Sequence, residues 1–112
     1  VTIPDANFVT FLQNNYPSCM SGNQMNASCT SITSATIVSV NGNNIADLYG
    51  IEYFSSLQYL NCQNNLLTSL PALPSSLLHL NCQVNLLTNL TNLPSSLQYL
   101  DCNDNHLTNQ EE

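Results

Sequence analysis

There is no lysine and no arginine anywhere in this sequence. About a quarter of the residues of an ordinary domain are charged, so a chain of this length is expected to carry roughly a dozen basic ones. Here the acidic residues Asp5, Asp47, Glu52, Asp101, Asp104, Glu111 and Glu112 stand unopposed, and the formal net charge is −7 over 112 residues. Nothing in such a chain can neutralise a phosphate and release its counterions, which excludes a nucleic-acid partner. Anionic membrane surfaces are disfavoured by the same sign argument. No apolar run reaches the roughly 18 residues of a spanning helix, so no membrane insertion is expected. The first residues also lack the basic and apolar regions of a signal peptide, so in a secreted protein Val1 follows the cleavage point. Without Lys or Arg there is no site for trypsin-like proteases, and solubility rests on Asn, Gln, Ser and Thr. Both features suit an extracellular location.

What is present is a repeat. The stretch LQYLNCQNNLLTSLPALPSS, from Leu57 to Ser76, is followed by LLHLNCQVNLLTNLTNLPSS, from Leu77 to Ser96, and LQYLDCNDNHLTN begins a third copy at Leu97. Cys62, Cys82 and Cys102 mark a period of 20 residues. Each copy has the form L-x-x-L-x-C-x-x-N-x-L-x-x-L, carried by Leu57, Leu60, Cys62, Asn65, Leu67 and Leu70 and again by Leu77, Leu80, Cys82, Asn85, Leu87 and Leu90. This pattern resembles the leucine-rich repeat at the short end of its length range. No single turn of such a repeat can bury its own apolar side, so turns must stack. The LPxLPSS segment resembles the short, proline-containing convex side of bacterial members. Pro71, Pro74 and Pro94 fix their own backbone and bias the preceding residue toward extended forms, which argues against a helical return.

The resemblance extends over nearly the whole chain. The IPDANF start is similar to the helical caps of internalin-like bacterial surface proteins and of secreted flavobacterial members. Ile3-Pro4-Asp5 reads as a helix entrance, with proline tolerated in the first turn and a carboxylate favoured at the positive end of the dipole. Phe8, Phe11, Leu12 and Tyr16 then form one apolar stripe, and Pro17 ends the helix. From Ala35 a diverged first repeat places Val38, Val40, Asn43, Ile45 and Leu48 in line with Leu60, Cys62, Asn65, Leu67 and Leu70. The longer return Tyr49–Phe54, with Phe54 expected inside, resembles the DLxGIExF segment that follows the cap in the same proteins. The fold expected is an α/β solenoid: a short leucine-rich-repeat stack with a parallel β-sheet on its concave face and a helical N-terminal cap. Residues 1–34 are assigned to the cap and 35–112 to about three and a half repeats. No C-terminal cap is recognisable, so the chain is expected either to be a piece of a longer repeat protein or to meet another subunit there.

The repeat accounts for its own unusual residues. Asn65, Asn85 and Asn105 lie where the chain leaves the strand, and a side-chain amide there can both donate to and accept from buried backbone groups. Cys62, Cys82 and Cys102 occupy a core-facing strand position and read as small buried thiols. A soft-metal site is not assigned, because a leucine-lined column offers thiolates no stabilising charge. Cys19 and Cys29 remain, an even pair outside an odd total. In an oxidising compartment they are expected to be bridged across a polar loop, stabilising the chain by roughly 2–3 kcal/mol. In a reducing cell they stay as two thiols.

Strand alternation places three columns of side chains on the concave face. The first is Ile37, Tyr59, His79 and Tyr99; the second is Ser39, Asn61, Asn81 and Asp101; the third is Asn41, Gln63, Gln83 and Asn103. From these, Tyr59, Asn61, Gln63, His79, Asn81, Gln83, Tyr99, Asp101 and Asn103 are the candidate binding residues: an aromatic strip beside an amide strip, suited to a sugar or an extended peptide. The plainer reading is that tyrosines simply favour a solvated sheet. His79 and Asp101 invite thoughts of hydrolysis, but no serine is marked by a nucleophile elbow and no oxyanion site is suggested, so no enzyme activity and no catalytic residue is assigned. Asp101, Asn103 and Asp104 lack the converging loop that calcium needs, and no metal or cofactor is expected. Asn26-Ala27-Ser28 and Asn89-Leu90-Thr91 match the N-glycosylation pattern, which in a bacterial protein carries no weight. Two functions stand: a secreted or surface module that binds a protein or glycan through the concave face, and a structural subunit that joins copies of itself head to tail into a filament.

Overall fold

The computed structural model describes residues 1–107; residues 108–112, the last of the expected repeat region, lie outside the described residues. The chain opens with helix α1, Ala6–Asn15. Asp5 is its N-cap, with Oδ1 accepting from the backbone N–H groups of Asn7 and Phe8 at 2.9 and 3.0 Å. Pro4 therefore precedes the helix instead of sitting in its first turn, because the carboxylate at position 5 takes the capping role. Phe8 and Leu12 are fully buried, while Phe11 and Tyr16 are half-buried at the edge of the same stripe. Pro17 starts a single 3₁₀ turn, Pro17–Cys19, after the helix stops.

The stretch between Cys19 and Cys29 departs from the expected polar loop. It folds into a small antiparallel hairpin of β1, Met20–Ser21, and β2, Gln24–Met25, turned at Gly22 with φ 58°. Met25 is buried, and this inward anchor turns a loop-like composition into a hairpin. A disulfide joins Cys19 to Cys29, and a one-turn helix α2, Thr30–Thr33, follows.

Four three-residue strands then form one parallel sheet in sequence order: β3, Ile37–Ser39; β4, Tyr59–Asn61; β5, His79–Asn81; and β6, Tyr99–Asp101. The pairing sets Val38 beside Leu60, Leu60 beside Leu80, and Leu80 beside Leu100. Equivalent positions of successive repeats are thus direct neighbours. No helix forms between β4 and β5 or between β5 and β6; the return after β3 contains one 3₁₀ turn, Ile51–Tyr53. Phe54 is fully buried and meets Tyr16 edge to face at 5.6 Å. The cap and the repeats share a single hydrophobic cluster, running from Ile3 and Phe8 through Leu57 and Leu60 to Leu87.

Three backbone-directed devices hold the repeats together. Asn65 donates to Val40 O and Cys62 O at 3.0 and 3.1 Å while its Oδ1 accepts from the N–H groups of Asn43 and Ile45. Asn85 and Asn105 repeat the arrangement, each bridging its own repeat to the one before through Cys62 O and Cys82 O respectively. Asn43, at the equivalent position of the first repeat, is exposed and donates instead to Asn41 O. On the far side of each repeat Ser76 Oγ donates to Leu57 O at 2.6 Å and Ser96 Oγ to Leu77 O at 2.7 Å. The third device is a left-handed residue just before each asparagine: Gly42, Asn64, Val84 and Asp104 have φ of 70°, 58°, 56° and 60°.

The cap is fastened to the first repeat mainly through Asp5. Its second oxygen, Oδ2, accepts from Ala46 N and Asp47 N at 2.8 and 3.1 Å, so one carboxylate serves four backbone donors. Asn7 Nδ2 adds a bond to Asn44 O at 2.9 Å. Gly50, with φ 111°, lets the return pass directly over Ile3, since a Cβ there would lie 2.5 Å from Ile3 Cδ1. Only glycine combines that angle with so close an approach.

Candidate functional site

In β3, β4 and β5 the middle residue is buried and the two outer residues turn away from the core; in β6 the middle residue, Leu100, is half-buried. The open face of the sheet therefore carries the first two columns in register, Ile37–Tyr59–His79–Tyr99 and Ser39–Asn61–Asn81–Asp101. Ile37, Tyr59 and Tyr99 are 67%, 48% and 54% exposed, which is high for residues of this size.

The rings of the first column stack on one another. Tyr59 and His79 lie 5.1 Å apart at 28°, and His79 and Tyr99 lie 4.4 Å apart at 35°. Aromatic side chains on adjacent parallel strands are held at about the strand spacing, so register brings the rings within stacking reach. This revises the aromatic strip read from the sequence. Both faces of His79 are occupied by tyrosines, and the inner faces of Tyr59 and Tyr99 are occupied by His79.

The amide columns are linked by a directional network. Gln63 Oε1 accepts from Gln83 Nε2 at 2.7 Å and from Asn81 Nδ2 at 3.1 Å. Asn61 Oδ1 accepts from the backbone N–H of Gln63, Asn81 Oδ1 from that of Gln83, and Asp101 Oδ1 from that of Asn103. Fixing the oxygens inward leaves NH₂ groups as the outward-facing donors. Asn61 Nδ2, Gln63 Nε2 and the Ser39 hydroxyl make no hydrogen bond among the described residues. Asn103 lies at the exposed end of the third column, and its backbone carbonyl is bonded to Val84 N.

A cavity of about 260 Å³ lies across β3, β4 and β5, lined by Ile37, Val38, Ser39, Tyr59, Leu60, Asn61, His79 and Asn81. No carboxylate is among its lining residues. Asp5, Asp47 and Glu52 belong to the cap and first return, where each accepts backbone N–H bonds.

The cysteine column lies on the other side of the sheet. Cys62 and Cys82 are buried and Cys102 is half-buried, all three as free thiols. Burial drives the Cys62 thiol far above its ordinary range, with the neighbouring Cys82 adding to the effect. Burial likewise pushes Cys82 up to about 12, reinforced by Cys102 and Asp101. Among the described residues no three His, Cys, Asp or Glu side chains converge as a metal site. No helix among them is long and apolar enough to cross a membrane.

No protein-family model matches the chain, and no curated protein matches it.

Proposed function

We propose that the chain is a leucine-rich-repeat module of a secreted or cell-surface protein, and that it binds a protein or glycan ligand through the concave face formed by β3–β6. The observation that carries this reading is the joint placement, on one uncovered sheet face, of an exposed ring column and amide donors that have no partner among the described residues. A face that only needed to be wetted has no use for large exposed apolar groups in register. The Cys19–Cys29 disulfide supports an oxidising compartment. Binding of the purified chain to glycan and peptide arrays tests the proposal. Ligands that lose affinity on Tyr59→Ala and on Tyr99→Ala, at unchanged melting temperature, support it; ligands retained by both variants overturn it.

A second reading is favoured by the half-buried Leu97, Leu100 and Cys102 of the last repeat, whose counterparts one repeat earlier are buried. In that reading the chain is a structural subunit whose last repeat packs on another copy, head to tail. Self-association then strengthens with ionic strength, as salt screens the unopposed acidic charge, and Leu107→Glu blocks it. Sedimentation across a salt series separates the two, because a chain that stays monomeric throughout leaves the binding module alone.

A further inference from the structure

Resting on the concave-face reading, we infer that the cavity beside Tyr59 is a subsite for one ring of a neutral glycan, with Tyr59 as its aromatic platform. Size comes first. About 260 Å³ is smaller than sites that enclose a drug-sized molecule, roughly 300–1,000 Å³, so the cavity takes one ring of a longer ligand.

Shape and chemistry narrow the ring further. Tyr59 and His79 both line it, and their rings stack at 5.1 Å, so the aromatic surface is held in place before any ligand arrives. Pre-ordering a platform lowers the cost of binding. Ile37, Val38 and Leu60 add apolar surface, and Ser39, Asn61 and Asn81 bring a hydroxyl and two amides. A pyranose has the matching form: C–H groups on its flat face, and a rim of hydroxyls that both donate and accept. A peptide backbone pairs with sheet edges, not with a sheet face.

Charge decides the remaining choice. The chain offers no Lys or Arg to pair an acidic sugar, a sulfate or a phosphate, and its net charge of −7 repels all three. A cationic group drawn by that field finds no carboxylate among the residues lining the cavity, and an unpaired buried charge is costly. An uncharged ligand meets neither obstacle.

Titration of the ¹⁵N-labelled full chain with cellohexaose, laminarihexaose, maltohexaose and mannohexaose, with hexagalacturonate as the charged control, tests the inference by NMR. The expected result is saturable shifts centred on Ser39, Tyr59 and Asn61 with at least one neutral hexamer and none with hexagalacturonate. Tyr59→Ala should then weaken binding at least tenfold, Ile37→Tyr should block it by filling the cavity, and Tyr49→Ala, an exposed tyrosine on the first return and outside this face, should change it less than threefold. Proper folding of each variant is read from the same spectra. Binding of hexagalacturonate as tight as that of the neutral hexamers, or neutral binding indifferent to both Tyr59→Ala and Ile37→Tyr, overturns the inference. If peptides from the array shift this face while all neutral hexamers leave it unchanged, the glycan subsite is wrong and the concave-face reading survives. If neither class shifts the face, both fall.

Discussion

Val84 is the residue the backbone suits least, and replacing it with asparagine should stabilise the protein. Its φ of 56° lies in the left-handed region, where the Cβ of an L-residue crowds the following carbonyl at a cost of about 1–2 kcal/mol, and a β-branched side chain is worse placed than most. The equivalent positions are filled by Gly42, Asn64 and Asp104, all residue types that tolerate this angle. The valine recovers little in return, because its side chain is 42% exposed. Its backbone N–H donates to Asn103 O at 3.0 Å, a contact that asparagine keeps. Subtracting the modest lost burial from the relieved strain leaves a net gain of about 0.5–1.5 kcal/mol for Val84→Asn. For a domain of this size that is a rise in Tm of roughly 3–8 °C. Urea and thermal unfolding of the variant measure it, with Leu86→Asn as a control at a similarly exposed position where φ is not positive. A neutral or destabilising Val84→Asn, or an equal gain from Leu86→Asn, would refute the reasoning.

Removing the cap carboxylate should be among the costliest surface changes: Asp5→Ala loses the helix N-cap and leaves Ala46 N and Asp47 N without their partner. Urea unfolding should show a loss of about 2–3 kcal/mol, with Asp5→Asn losing about half as much. The buried thiols set an alkaline limit. Cys62 and Cys82 have raised folded pKa values, so the folded state holds protons that the unfolded state releases above about pH 8.5, and stability falls as pH rises from there toward 12. The slope should be about 1.4 kcal/mol per pH unit for each thiol, and the Cys62→Ala/Cys82→Ala double variant should lack that component in unfolding titrations. With no Lys or Arg there is no basic side-chain ion pair for salt to weaken, so NaCl should leave Tm unchanged or raise it; a marked fall in calorimetry would contradict this.

Much of the register was legible because identical residues recur at a fixed spacing. Leu60, Leu80 and Leu100 pair as neighbours, the Cys19–Cys29 disulfide is present, and Phe54 is buried. The Ser76 and Ser96 bonds were also within reach, since the serine recurs in both LPSS segments, but a hydroxyl in a polar loop signals nothing until its acceptor is located. The Met20–Met25 hairpin was hidden by composition, because its strands are two residues long and stabilised by one buried methionine and by the disulfide. At the candidate site, alternation gave the columns but not the mutual stacking of Tyr59, His79 and Tyr99. Stacking depends on rotamers, and rotamers depend on the neighbouring strand. The cavity is lined by residues of three strands, such as Ile37, Tyr59 and His79, which become neighbours only through the sheet.

The absence of lysine and arginine is compatible with a stable fold because backbone N–H groups take over the role of counter-charges. Asp5 accepts four of them, while Asp47, Glu52 and Asp101 each accept one, at Tyr49, Gly50 and Asn103. Such bonds are charge-assisted and short in sequence or structure, and they cost little side-chain entropy compared with fixing a long basic side chain. Elsewhere the linking is done by neutral groups, the asparagines between repeats, the serines at the returns and the glutamines on the open face, which pair equally well with one another and with the backbone. A surface built this way carries carboxylates at the cap and at Asp101 and Asp104, and keeps them out of the cavity beside Tyr59. The composition that disfavours phosphate and other anionic partners is therefore also the ground on which the proposed uncharged ligand rests.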